Sequence, residues 1–446
     1  MPRAVAAGAP AAVPIAALVV GALALAVAAG ALLARPELLV GYHAAPGMLA
    51  LTHAFTLGFV GLVYAGTLQQ LPAVLMVTDL SWPRLGVVAL PLLGLGTVLV
   101  VVGFALGFMA LPLAVGGGLA SLAWLALLAQ LLFTARRRRS KDVAARGLVI
   151  AVAYLALTVV LGFVLAGSRS LPAIPRAIGY PVSTHLTAGL FGAFLLGIAA
   201  SGQKLLSMFA LAKGGAAWRL RWLTWLIHGA VFAEVLSRFA GWPLGLVRWS
   251  FLAAAGALQL WEVGAILRRR LRRRLEAPVQ RYVLAHAFLP LAGVLLVVGE
   301  ARAAALAFAL GFVGLAVSGM LVKIVSFLSW TAGFAQRSAG TAGTGAPAGP
   351  GSTAPAPGST PRAPLLRDLV RPELEPFIGA GLGGGALAAV AAVLTGSLPV
   401  ATISAAALAV GALAQLAQVL HVIWAALRGL RPAAHPNLGT REELPA

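Results

Sequence analysis

The chain is predicted to be an all-α, polytopic membrane protein of about twelve transmembrane helices in three pseudo-repeated four-helix units. Three observations carry that prediction. Hydrophobic residues fill 60% of the 446 positions and charged residues only 10%, with a mean hydropathy of +0.95, whereas soluble domains carry roughly 25% charged residues. One glycine-patterned motif recurs on the second, sixth and tenth apolar spans. Basic residues concentrate in alternate loops.

A spanning helix needs about 20 mainly apolar residues, and in lipid its backbone must satisfy its own hydrogen bonds. The first span, 11–34, is alanine-rich but longer than the apolar region of a signal peptide, so it reads as a helix. The second, 48–77, carries the first motif copy, HAFTLGFVGLVYAGTLQQLP, from His53. Spans 86–109 and 112–134 are divided only by GFMALPLAVGGG, and a basic run from Arg136 to Arg139 follows them. Span 147–167 starts after Arg146, and span 183–210 carries the second copy, HLTAGLFGAFLLGIAASGQKLLSMF, from His185. Span 218–239 holds His228 near its middle, with Glu234 further along, and span 246–267 leads into Arg268 to Arg270 and Arg272 to Arg274. Spans 280–299 and 303–330 follow, the latter with the third copy, ALGFVGLAVSGMLVKIVSFLSW, from Ala309. These ten spans make up residues 1–334. Residues 335–370 read as a disordered cytoplasmic loop, because most of the stretch is Gly, Ala, Pro, Ser and Thr with almost nothing to bury. Spans 376–397 and 399–427 fall in a last membrane segment, 371–430, before a cytoplasmic tail, 431–446.

The net charge of +21 does not point to nucleic acid, because its placement follows the membrane. The arginine runs, with Lys213, Arg219, Arg221, Arg367, Arg371 and Arg428, fall on one side, and only scattered arginines fall on the other. The positive-inside rule then places both termini in the cytoplasm and the chain in the cytoplasmic membrane. The implied partners of these arginines are anionic lipid headgroups. The absence of cysteine excludes disulfides, iron–sulfur clusters, thiolate metal sites and covalent c-type heme.

Aligning Gly58, Gly189 and Gly311 also brings Gly61, Gly192 and Gly314 together, then Gly66, Gly197 and Gly319. A period of four helices gives the copies one orientation and implies three units around a common centre. It argues against the inverted repeats of broken-helix transporters. Small residues at such spacing let backbones approach closely, or leave room for a flat macrocycle. Intramembrane ionisable residues are costly and mark functional candidates. His53 and His185 begin their helices at similar depth, where two imidazoles can ligate a heme iron or share a metal, or bond to interfacial water and carbonyls. His228 is the most deeply placed histidine. At the other ends of the motif lie Gln70, Lys204 and Lys323, the two lysines in the related patterns KLLS and KIVS. That likeness predicts equivalent lysines snorkelling to lipid phosphates, or serving proton entry or anion binding, with Glu262 paired to one of them. No metalloprotease, P-loop or nucleophile-elbow motif occurs.

Twelve helices in three four-helix arcs, with histidines on the second and sixth, resemble subunit I of the heme–copper oxidase superfamily. The segments HAFTLGFVGLVYAGTLQQLP and GFVGLAVSGMLVKIVSFLSW look closer still to a poorly characterised group of bacterial membrane proteins related to that subunit. The resemblance implies that helices two, six and ten are innermost. It puts His53 at the heme-ligand position of helix two and His185 in the copper-ligand region of helix six. Helix ten has no histidine, helix seven has only His228, and no tyrosine-bearing motif follows His185. A three-histidine copper site is therefore not expected, nor is oxygen or nitric oxide reduction. What the resemblance implies instead is a heme held by His53 with His185 or His228, acting in respiratory electron transfer or its assembly beside respiratory-complex subunits. The alternatives are a transporter or channel for a small solute or ion, and a cofactor-free scaffold.

Overall fold

Among the described residues, twelve long helices account for most of the backbone. The computed structural model describes residues 7–170, 182–332 and 365–428. The helices are α1 (Ala12–Ala34), α2 (Pro46–Thr67), α3 (Pro83–Ala105), α4 (Ala110–Arg136), α5 (Val143–Ser170) and α6 (Val182–Phe209). The second half has α7 (Ala217–Phe239), α8 (Gly245–Arg268), α9 (Ala277–Val297), α10 (Ala301–Trp330), α11 (Glu375–Thr395) and α12 (Leu398–Arg428). No strand forms among the described residues. Eleven of the twelve are long and apolar enough to cross a membrane. The exception, α7, carries Arg219, Arg221, Glu234 and Arg238.

Local chemistry sets the ends. Proline occupies the first turn of α2, α3 and α9, where its missing N–H costs no helical hydrogen bond. α11 stops at Gly396, whose φ of +63° is a left-handed terminus that glycine adopts without strain. Within the helices, threonine and serine hydroxyls donate to the carbonyl four residues back, as Thr67 does to Val63 and Thr158 to Tyr154. These bonds spare the hydroxyls concerned from being unpaired in an apolar surround, although Ser121, Thr184 and Ser329 are buried without a hydrogen-bond partner among the described residues.

Each unit packs its helices in succession, and α4 on α5, α8 on α9 and α12 on α1 close the units into a ring. α2, α6 and α10 are the most buried of the spans. They meet at the centre, where Tyr64 of α2 lies on Gly197 of α6, Phe55 of α2 faces Gly314 of α10, and Phe191 and Phe308 bring α6 and α10 together at 5.0 Å between ring centroids.

The repeat is also a repeat of backbone geometry. Each inner helix widens into a π-helix across its glycines, over Ala54–Gly61, Thr187–Leu195 and Ala307–Gly314. Stretches of π-helix are rare and recur at functional sites. The first aligned glycine abuts the helix that precedes its own: Gly58 faces Ala24 of α1, Gly189 faces Thr158 of α5 and Gly311 faces Phe288 of α9. These glycines therefore serve close helix approach, and the space beside them is filled rather than open to a macrocycle.

One segment is ordered where disorder is expected. Residues 335–364 and the 431–446 tail lie outside the described residues, but Leu366–Leu369 forms a 3-10 turn with Leu369 buried against the bundle. Its leucines supply the apolar surface that the preceding stretch lacks.

Candidate functional site

His53 and His185 sit near the starts of α2 and α6, at the ends of those helices remote from the arginine-rich loops. His53, in the first turns of α2, donates from Nδ1 to the Leu49 carbonyl at 2.7 Å and stacks on Phe104 of α3, with centroids 4.7 Å apart. His185, one turn into α6, donates from Nδ1 to the Thr158 carbonyl of α5 at 2.9 Å, its ring lying over Gly162. Among the described residues neither Nε2 atom has a hydrogen-bond partner. A histidine whose Nδ1–H is held by a carbonyl has its tautomer fixed and its Nε2 lone pair free, the usual presentation of a metal ligand.

His228 joins this group through α5. Its Nδ1 and the Tyr154 hydroxyl share a hydrogen bond of 2.6 Å. Thr158, one turn along from Tyr154, donates its hydroxyl to the Tyr154 carbonyl while its own carbonyl holds His185. One face of α5 thus brings His185 and His228 to a common wall. Sequence reasoning missed Tyr154 and Thr158. The signal available was that Tyr154 is one of only five tyrosines and lies mid-span. His286 is different: it donates to the Tyr282 carbonyl and accepts from Gln259, so both ring nitrogens are occupied by the protein.

Near the far end of Glu234's helix lies a second polar group. Ser183 donates to Glu234 at 2.6 Å, Arg238 donates to it at 3.2 Å, and Arg248 of α8 completes its partners. Three helices are tied together there by one carboxylate.

At the arginine-rich face the four predicted polar residues part company. Gln70 donates to the Ala9 carbonyl at 2.5 Å and pins the segment before α1. Glu262 pairs with neither lysine. It accepts from Arg219 of α7 and from Gln203 of α6 at 2.8 Å, all three buried. Lys204 is exposed, whereas Lys323 is only 3% exposed and reaches Glu276 at 2.5 Å with its ammonium over the Phe209 ring. The likeness of KLLS to KIVS is misleading because it is out of register. Counted from the shared glycines, Lys323 falls opposite Ser201 and Gln70, whereas Lys204 lies three positions, nearly one helical turn, further along. Lys323 is thus an internal ion-pair partner and not a snorkelling lysine.

Each unit also clasps its inner helix to its last helix by one side-chain hydrogen bond. Gln69 donates to Gln130 of α4 at 3.2 Å, Gln203 to Glu262 of α8, and Ser318 to Gln415 of α12 at 2.6 Å.

Cavities lie in the bundle among the described residues. One of about 110 Å³ sits between α1, α2, α10, α11 and α12, and one of about 60 Å³ between α2, α6, α9 and α10. Neither is lined by a histidine, and both are far smaller than the roughly 300–1,000 Å³ of sites that enclose drug-sized ligands. The imidazoles present the nitrogen lone pairs of metal ligands, and neither of these two cavities adjoins them. No group of three or more His, Asp or Glu side chains close enough to share a metal ion occurs among the described residues. No protein-family model matches this chain, and no curated protein matches it.

Proposed function

We propose that this multi-pass protein binds a transition-metal centre through His53 and His185 and acts in or beside the respiratory membrane. The observation that carries the reading is the paired presentation of the two histidines. Each holds its Nδ1–H on a backbone carbonyl, and each leaves Nε2 without a hydrogen-bond partner among the described residues. Imidazole suits iron, copper and zinc, so the class of metal follows from the ligand type. Two protein ligands leave coordination positions for an exogenous molecule. The likeness of the inner-helix motifs to heme–copper oxidase subunit I supports the respiratory setting. The missing histidines of α10 and α7 keep oxygen reduction out of the proposal.

The test is metal analysis and a visible spectrum, oxidised and dithionite-reduced, on protein purified in mild detergent beside His53→Ala and His185→Ala. Stoichiometric metal that either variant loses, without loss of fold, is the expected result. Well-folded wild-type protein that stays metal-free and colourless after supply of iron, copper, zinc or heme would sink the reading. A Soret band that disappears in His53→Ala would replace the bare ion with a heme and require the bundle to open around it.

A further inference from the structure

We infer that the partly open cavity of about 110 Å³ between α1, α2, α10, α11 and α12 is a binding site for one small, uncharged, apolar molecule. Its wall is built from Leu25 and Leu32 of α1, Phe55 of α2, Leu310 of α10, Leu382 of α11 and Leu408 of α12. The two polar side chains on it, Thr52 and Thr56, have already spent their hydroxyl protons on the carbonyls of Met48 and Thr52 within α2. Nothing is left to donate to a polar guest. Water needs two to four polar partners to occupy such a space, and cavities lined by Leu, Ile and Phe stay dry and take up xenon or benzene when of order 150 Å³. Gly314 contributes to the volume because it presents no side chain to the Phe55 ring.

The site is separate from the histidine group. His53 lies on α2 but stacks on α3, and it does not line the cavity. The five helices around the cavity come from the first and third units, so an occupant would link the two units that Phe55 and Gly314 already bring together. Occupancy does not depend on the metal reading.

The probe is xenon. Crystals of the full chain pressurised with xenon are expected to show one anomalous peak between Phe55, Leu310 and Leu382. The peak should be lost in Leu310→Phe, and also in Ala28→Leu on the opposite wall, which guards against one variant failing to fold. An empty cavity under xenon, or density there for ordered water or a lipid acyl chain, would overturn the proposal. Retained metal in either variant would show that failure here leaves the histidine site untouched.

Discussion

Tyr64 carries a buried hydroxyl with no hydrogen-bond partner, pressed against Gly197. Leaving such a group dry costs about 1–3 kcal/mol, so Tyr64→Phe is expected to be neutral or to raise the thermal midpoint in detergent. A clear fall would mean the hydroxyl has a partner, such as bound water. Arg219 and Glu262 behave oppositely. Removing one member of a buried pair strands the other and costs about 3–5 kcal/mol, while an apolar replacement of both is often tolerated. Arg219→Leu should therefore unfold at much lower temperature than the double variant Arg219→Leu/Glu262→Leu, as thermal melts would show. Glu276 gives a pH signature. Burial pushes its carboxyl up, but the hydrogen bond and charge of Lys323, with Arg272, outweigh this and hold it below its ordinary value of 4.5. A depressed carboxylate contributes stability that is complete above the unfolded value and lost as pH falls through the folded one. Melts should thus decline below about pH 4.5, and Glu276→Gln should flatten that decline. The candidate histidines were legible in the sequence because ionisable residues stand out in apolar spans. Their partners were not, because Thr158 and Leu49 act through backbone carbonyls that every residue possesses.

At the scale of the helix, the glycines divide by what lies beside them. A methyl group at Gly319 would meet the Pro278 carbonyl oxygen and the Tyr282 backbone of α9, neither of which can swing aside. Overpacking of this kind costs about 1–3 kcal/mol, so Gly319→Ala should lower the melting temperature. Gly256 in α8 has nothing within 4 Å of that position. Gly256→Ala should be neutral or gain up to about 1 kcal/mol from helix propensity. Equal effects of the two substitutions would mean that α9 and α10 do not pack as closely as described. The spacing of the glycines revealed the repeat and its period, while the inner position of α2, α6 and α10 was what the family resemblance implied. The π-helical widening was not legible, since it is a property of hydrogen-bond register rather than of residue type. Register also explains the mistaken equation of Lys204 with Lys323: local likeness in four residues is weaker than a glycine frame that fixes how far along its helix each residue sits.

For the whole molecule, the weakest link in a twelve-span reading is α7, whose composition alone does not qualify it to cross a membrane. Its charges, however, are largely neutralised inside the bundle. Arg219 is paired with Glu262, and Glu234 is enclosed by Ser183, Arg238 and Arg248. Paired and inward-facing charges are those a membrane tolerates. If α7 crosses, the loops after α4 and α8 share one side of the bilayer and all the arginine runs face it together. If α7 does not cross, those two loops lie on opposite sides, and the charge asymmetry that orients the chain is broken. The absence of cysteine makes this directly testable. Single substitutions Ser140→Cys and Leu271→Cys should both be shielded from an impermeant maleimide in intact cells. Tyr42→Cys, in the exposed loop between α1 and α2, should react. Labelling of Leu271→Cys but not Ser140→Cys would remove α7 from the membrane and dissolve the second four-helix unit. The wall on which Tyr154 meets His228 would then go with it.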